Sequence, residues 1–221
     1  MEFCTITPTR GDRPEFLEFC KHQLNRMIVK PTDCYFIEFP PCNKPDLVER
    51  LQYGINLAKR DGFKYAYIIE DDDYYPKDYF QKMSFNGYDL VGDTRTTYYH
   101  IGCNGYSEQI HPGRASLFTT GLNLDCIKDF RWPNNMFIDL PLWEHARRKG
   151  FQRRYADSGA VGIKHGVGMP GGKGHKKNLY KQFDNNWEYL SSLVDSEALQ
   201  FYKDMSKKLN GAILETNTLI L

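Results

Sequence analysis

Four consecutive carboxylates, Glu70-Asp71-Asp72-Asp73, follow directly on the apolar run Tyr65-Ala66-Tyr67-Ile68-Ile69. Side by side they repel one another, and each is costly to remove from water. A hard divalent cation relieves both costs. Mg²⁺ or Mn²⁺ takes oxygen ligands and keeps positions open for substrate phosphates. A helix start also favours negative charge, and Pro76 marks one nearby. One aspartate serves that purpose, and four exceed it. A calcium loop of the EF-hand kind is excluded by Pro76, which stands where that loop needs a glycine.

Cations collect elsewhere. Residues 61–93 hold eight acids against three bases, whereas residues 141–182 hold ten bases against two acids, with His145, His165 and His175 besides. Within the basic stretch, residues 166–174 contain five glycines, between His165 and His175. Glycines let backbone N–H groups approach phosphate oxygens, and Lys173, His175, Lys176 and Lys177 would neutralise them. Asp139 lies between Ile138 and Leu140. It fits a helix cap, since Pro141 follows two residues later.

The elements that must position these groups follow from periodicity. Residues 3–8 read as a strand, 14–26 as a helix with an apolar stripe, and 34–39 as a second strand. A helix over 45–59, capped by Asn43, is stopped by Asp61-Gly62. The continuous apolar run at 65–69 predicts a strand buried on both faces. This β-α-β-α-β order predicts an α/β fold with a mostly parallel sheet flanked by helices. The acidic run then sits at a strand's carboxyl end, where open α/β sheets bind ligands. Further on, the pattern predicts a helix over 76–83 and a strand at 90–93. Strands at 94–101 and 115–120, a helix over 139–149, a strand at 160–164 and a helix over 196–209 complete it.

The whole chain of 221 residues carries 29 Lys+Arg against 28 Asp+Glu, so its formal charge of +1 is a sum of two opposed regions. Its 26% charged and 41% hydrophobic residues exclude disordered and fibrous classes. Six cysteines without a CxxC pair predict reduced thiols in a cytoplasmic protein, and a zinc site from Cys34 and Cys42 has poor spacing. The opening MEFCTITPTR has no basic region and apolar core of a leader, and no segment approaches the roughly 18 apolar residues of a membrane span.

Residues 51–73, LQYGINLAKRDGFKYAYIIEDDD, resemble the stretch before the DxD motif of GT-A nucleotide-sugar glycosyltransferases, especially family 2. Thr5-Ile6-Thr7-Pro8-Thr9-Arg10 resembles that family's first strand and turn. The resemblance covers residues 3–80 well and implies one GT-A domain over 1–221. Residues 1–93 would be its nucleotide-sugar and metal half, 94–195 its acceptor half, and 196–221 a C-terminal helix and tail. It implies a donor site of Thr7, Pro8, Thr9, Arg10, Asp71, Asp72, Thr120, Gly121 and His165, to which the basic stretch would add Lys173 and His175. It further implies Mn²⁺ or Mg²⁺ on Asp71, Asp73 and His165, with Asp139 as base of an inverting transfer from a UDP-sugar and Glu144 as the fallback base.

The surplus of cations at Arg147, Arg148, Lys149, Arg153, Arg154, Lys176, Lys177 and Lys181 exceeds what one diphosphate requires. It points to a second anionic partner, and the expectation is hydroxymethylcytosine in DNA, as in phage-type DNA glycosyltransferases. Glycan or lipid head groups explain the same charges. A non-enzymatic nucleic-acid or anion-binding module also explains them but leaves the acidic run without a purpose.

Overall fold

The computed structural model describes residues 2–40, 42, 46–135, 137–166, 180 and 182–218, with side chains to residue 210. Two compact units make up the chain: residues 1–96 with 110–160, and residues 97–109 with 161–221.

The first unit opens with the expected alternation: β1 (Cys4–Thr9), α1 (Pro14–Asn25), β2 (Asp33–Glu38), α2 (Leu47–Arg60) and β3 (Tyr65–Ile68). Pro14 begins α1, whose buried face is Phe16, Leu17, Cys20, Gln23 and Leu24. Asp46 precedes α2, and Gly62, at φ +86°, makes the turn after it. Gly54 lets α2 lie close on the sheet, since a Cβ there would come within 2.5 Å of Ile6 Cγ2. After α3 (Tyr79–Lys82) come β4 (Leu90–Asp93), β5 (Arg95–His100), β6 (Gly105–Ile110), β7 (Thr120–Asn123), α4 (Asp139–Arg148) and β8 (Arg153–Ala156).

Six of these strands form a sheet in the order β2-β1-β3-β7-β4-β8. Only β7 runs against its neighbours, pairing antiparallel with β3 and β4; the other pairs are parallel. Its core holds Cys4, Ile6, Ile37, Leu51, Ile55 and Ile68, continued by Leu90, Leu122, Leu142 and Trp143. Gly121 in β7 makes room for the Tyr67 ring, which a Cβ would approach to 2.6 Å.

The second unit carries the sheet β10-β6-β5-β9, with β9 (Val161–Lys164) parallel to β5 and β10 (Gln182–Phe183) antiparallel to β6. Two helices follow, α5 (Glu188–Leu193) and α6 (Ser196–Thr218). Asp184 fixes the start of α5: its carboxylate accepts from the Tyr189 and Leu190 amides and the Tyr99 hydroxyl. No helix among the described residues is long and apolar enough to cross a membrane.

Three departures from the sequence reading have physical causes. The strand expected at 115–120 is a 3-10 turn, Leu117–Thr119, with β7 beginning only at Thr120. The Thr119 and Thr120 hydroxyls both fold back onto the Ser116 carbonyl, at 3.3 and 2.7 Å, and close a turn there. Strands β6 and β8 carry polar or charged residues, GYSEQI and RRYA, so no apolar alternation announced them. The helix expected over 76–83 is a single turn, Tyr79–Lys82.

Candidate functional site

The end of β3 is tied to β1 by the Ile69 amide, which donates to the Ile6 carbonyl at 3.0 Å. The chain then turns through Glu70, Asp71, Asp72 and Asp73. Glu70 is half-buried and the three aspartates are buried. Such crowding needs counter-charge and hydrogen-bond donors.

Helix α1 and its approach supply them. Arg13 Nη2 donates to Asp71 Oδ1 and Nη1 to Asp72 Oδ2, each at 2.6 Å. Thr9 Oγ1 donates to Asp71 Oδ2, also at 2.6 Å. One helix side on, Gln23 Nε2 donates to the Asp73 carbonyl at 3.0 Å, and its Oε1 accepts from the Tyr75 amide at 2.9 Å. The Tyr75 hydroxyl accepts from the Glu70 amide at 2.8 Å and donates to the Phe118 carbonyl at 3.3 Å. Burial pushes the Tyr75 hydroxyl far above its ordinary pKa, so it stays a donor.

With both oxygens of Asp71 engaged by Arg13 and Thr9, the carboxylates that converge are Glu70, Asp72 and Asp73. One ligand oxygen from each lies within 4.8 Å of the others. An all-oxygen set of this kind suits Mg²⁺ or Mn²⁺, whose remaining positions stay open. The expected pair Asp71 and Asp73 is thus brought together on one turn, but Asp71 is the anchor and Glu70 joins the convergent set.

Thr7, Pro8 and Thr9 lie at the carboxyl end of β1, fully buried. The Thr7 hydroxyl has no hydrogen-bond partner among the described residues. Arg10 follows, half-buried, donating to the Cys42 carbonyl at 3.3 Å and to Asp12 at 3.2 Å. The expected donor residues Thr120 and Gly121 have internal partners. Thr120 Oγ1 accepts from Trp143 Nε1 at 3.2 Å, and Gly121 lies against Tyr67.

Trp143 belongs to α4, so this bond ties the helix to β7. Asp139 is the first residue of α4 and pairs with Arg114 Nη1 through a short hydrogen bond. Both side chains are partly exposed. Burial, then the Arg114 charge, pushes the nearby His111 imidazole down in pKa against the pull of Asp139, so it is neutral at pH 7. Around Asp139 the surface is apolar: Phe137 is 70% and Leu140 49% exposed, while Ile138 is buried as the anchor. Glu144 points to solvent one turn along.

His165 follows β9 in the second unit and is buried. Lys173 and His175 lie outside the described residues, as do Lys176, Lys177 and Lys181. Of the remaining cations, Arg147, Arg148 and Lys149 are exposed at the end of α4, and Lys149 pairs with Asp129 at 3.3 Å. Cys42 Sγ, considered for zinc, donates instead to Asp46 at 2.9 Å.

Solved structures share this architecture. The catalytic domain of Drosophila β1,4-galactosyltransferase 7 with xylobiose superposes with a TM-score of 0.52 at 13% identity, covering 71% of this chain and 65% of that one. The chain has the GT-A fold. A mutant of the same Drosophila enzyme, in complex with manganese, UDP-Gal and xylobiose, gives 0.50 at 12% identity, with the same coverage. The match therefore spans just under two thirds of the length of those two chains. S. aureus TarS with UDP-GlcNAc gives 0.46 at 12% identity, covering 74% of this chain and 58% of that one. No protein-family model and no curated protein matches the sequence.

Sequence reading missed Arg13, Gln23, Tyr75 and Arg114. Gln23 had a visible signal, a polar amide inside the apolar stripe of α1. Arg13 and Arg114 had none, because their carboxylate partners lie 59 and 25 positions away.

Proposed function

We propose that this chain is a metal-dependent glycosyltransferase that moves a sugar from a nucleotide diphosphate, a UDP-sugar, to an acceptor hydroxyl with inversion. The observation that carries this reading is the convergence of Glu70, Asp72 and Asp73 at the carboxyl end of β3, in a sheet of the GT-A kind. Open α/β sheets bind their ligands at that edge. Mg²⁺ or Mn²⁺ held there supplies charge neutralisation for the departing diphosphate. Thr7, Pro8, Thr9 and Arg10 line the nucleoside side of the site. The Thr7 hydroxyl, which has no hydrogen-bond partner among the described residues, supports this role. Asp139 accepts the proton of the attacking hydroxyl as Arg114 releases its carboxylate.

The acceptor we propose is anionic, with 5-hydroxymethylcytosine in DNA as the specific form. The exposed Arg131, Arg147 and Arg148 support it, being more cationic surface than one donor requires.

Purified protein with Mn²⁺ and labelled UDP-sugars is expected to release UDP and label hydroxymethylcytosine DNA. EDTA should abolish both. Asp73→Ala and Asp139→Asn should each lower transfer on the order of 10³-fold. Full turnover in EDTA, or in both variants with the fold intact, contradicts the reading. Transfer to simple glycans but not to modified DNA would remove the DNA acceptor and keep the rest.

A further inference from the structure

Arg13 stands immediately before α1, where the helix macrodipole favours anions over cations. Its side chain makes no cap bond to the helix. The acidic turn explains its placement. One guanidinium spans Asp71, which is an anchor, and Asp72, which belongs to the convergent set.

We propose that Arg13 is an internal counter-ion that competes with the divalent cation for Asp72, keeping the acidic turn folded without metal and weakening metal binding. The proposal rests on the metal reading above. The four carboxylates carry −4, and Arg13 reduces this to −3. A cation entering the set meets less negative charge than the residues alone would offer, and a positive neighbour on one of its own ligands. The shape of the turn does not depend on Arg13 alone. Thr9 holds Asp71, Gln23 holds the Asp73 and Tyr75 backbone, and Tyr75 holds Glu70. Loss of the guanidinium therefore changes charge more than geometry. Weak binding to the protein alone has a functional consequence. The diphosphate of a donor brings the missing negative charge, so cation and donor are retained together and released together.

The test is Mn²⁺ affinity without donor, read by the loss of the free Mn²⁺ EPR signal, in wild type, Arg13→Gln and Arg13→Lys. Arg13→Gln should bind Mn²⁺ about tenfold more tightly or better, and Arg13→Lys, which keeps the charge, within about threefold of wild type. In thermal unfolding, the metal-free Gln variant should melt below wild type, and saturating Mn²⁺ should raise its Tm by more. Equal or weaker binding by Arg13→Gln overturns the proposal, as does a Lys variant that binds as tightly as the Gln variant. If Arg13→Gln is unfolded without metal, Mn²⁺ must restore it, and a variant still unfolded at saturating Mn²⁺ contradicts the proposal. Absence of Mn²⁺ binding in wild type and both variants would instead sink the metal reading itself.

Discussion

The acidic turn after β3 and the Asp139 end of α4 both present carboxylates, and they are held in opposite ways. Arg13, Thr9, Gln23 and Tyr75 all hydrogen-bond to the turn, and its aspartates are buried. Asp139 has one ion-pair partner, Arg114, and sits partly open between exposed Phe137 and Leu140. The difference matches what each group would have to do. Carboxylates that share a cation must be fixed against their own repulsion before it binds. A carboxylate that takes a proton from an incoming hydroxyl must be reachable and able to leave its resting partner. Rigid support marks one region, and access marks the other.

Burying a carboxylate costs free energy, and Asp93, outside the turn, sets the scale of that cost. Asp93 ends β4 and accepts from the Ser158 hydroxyl and amide. Burial pushes its carboxyl up to about 6, against the opposing hydrogen bonds from Ser158. A raised folded pKa means that the native state binds more protons than the unfolded chain between about pH 4 and 6. Stability from this group is thus complete below about pH 4 and is lost as pH rises through 6. Asp93→Asn should stabilise the protein at pH 8 by up to about 3 kcal/mol and have little effect near pH 4, as measured by urea unfolding at both values. An equal effect at the two pH values would show that the acid ionises in place without cost.

Tyr75→Phe removes from the gripped region the hydroxyl that accepts from the Glu70 amide and donates to the Phe118 carbonyl, which keeps the longer bond from the Tyr79 hydroxyl at 3.5 Å. A loss of about 1–3 kcal/mol in unfolding free energy is expected, with weaker Mn²⁺ binding alongside. Weakened stability with unchanged Mn²⁺ affinity would separate Tyr75 from the metal set. In the open region, Phe137→Ala should change stability by no more than about 0.5 kcal/mol. Its effect should fall on acceptor KM, and an unchanged KM would deny the apolar surface beside Asp139 any part in acceptor binding.

The same contrast explains what the sequence could disclose. Through β3, local rules and tertiary packing agree. Pro14 starts a helix, Gly62 turns the chain, and Ala66, Tyr67 and Ile68 of β3 are buried as their composition requires. The acidic run and its place at a strand end were legible for the same reason. Beyond β4 the pattern still announces β5, α4, β9 and α6, but β6, β7 and β8 depend on pairings with no local signature. The polar β8 exists because β4 accepts it in parallel register, Leu90 opposite Arg153, and β7 enters from a turn closed by threonine hydroxyls. Within the site, the choice of Asp71 as anchor rests on Thr9 and Arg13, some sixty positions earlier. No spacing among four adjacent acids reveals which of them a distant arginine will take.

Mn²⁺ titration of wild type against Asp72→Asn and Asp71→Asn tests the central claim most directly, since the two acids are neighbours with different assigned roles. The convergent set of Glu70, Asp72 and Asp73 predicts one bound Mn²⁺ in wild type. Affinity should fall by about 100-fold or more in Asp72→Asn and by less than about tenfold in Asp71→Asn. The reverse order, or equal losses, would contradict it.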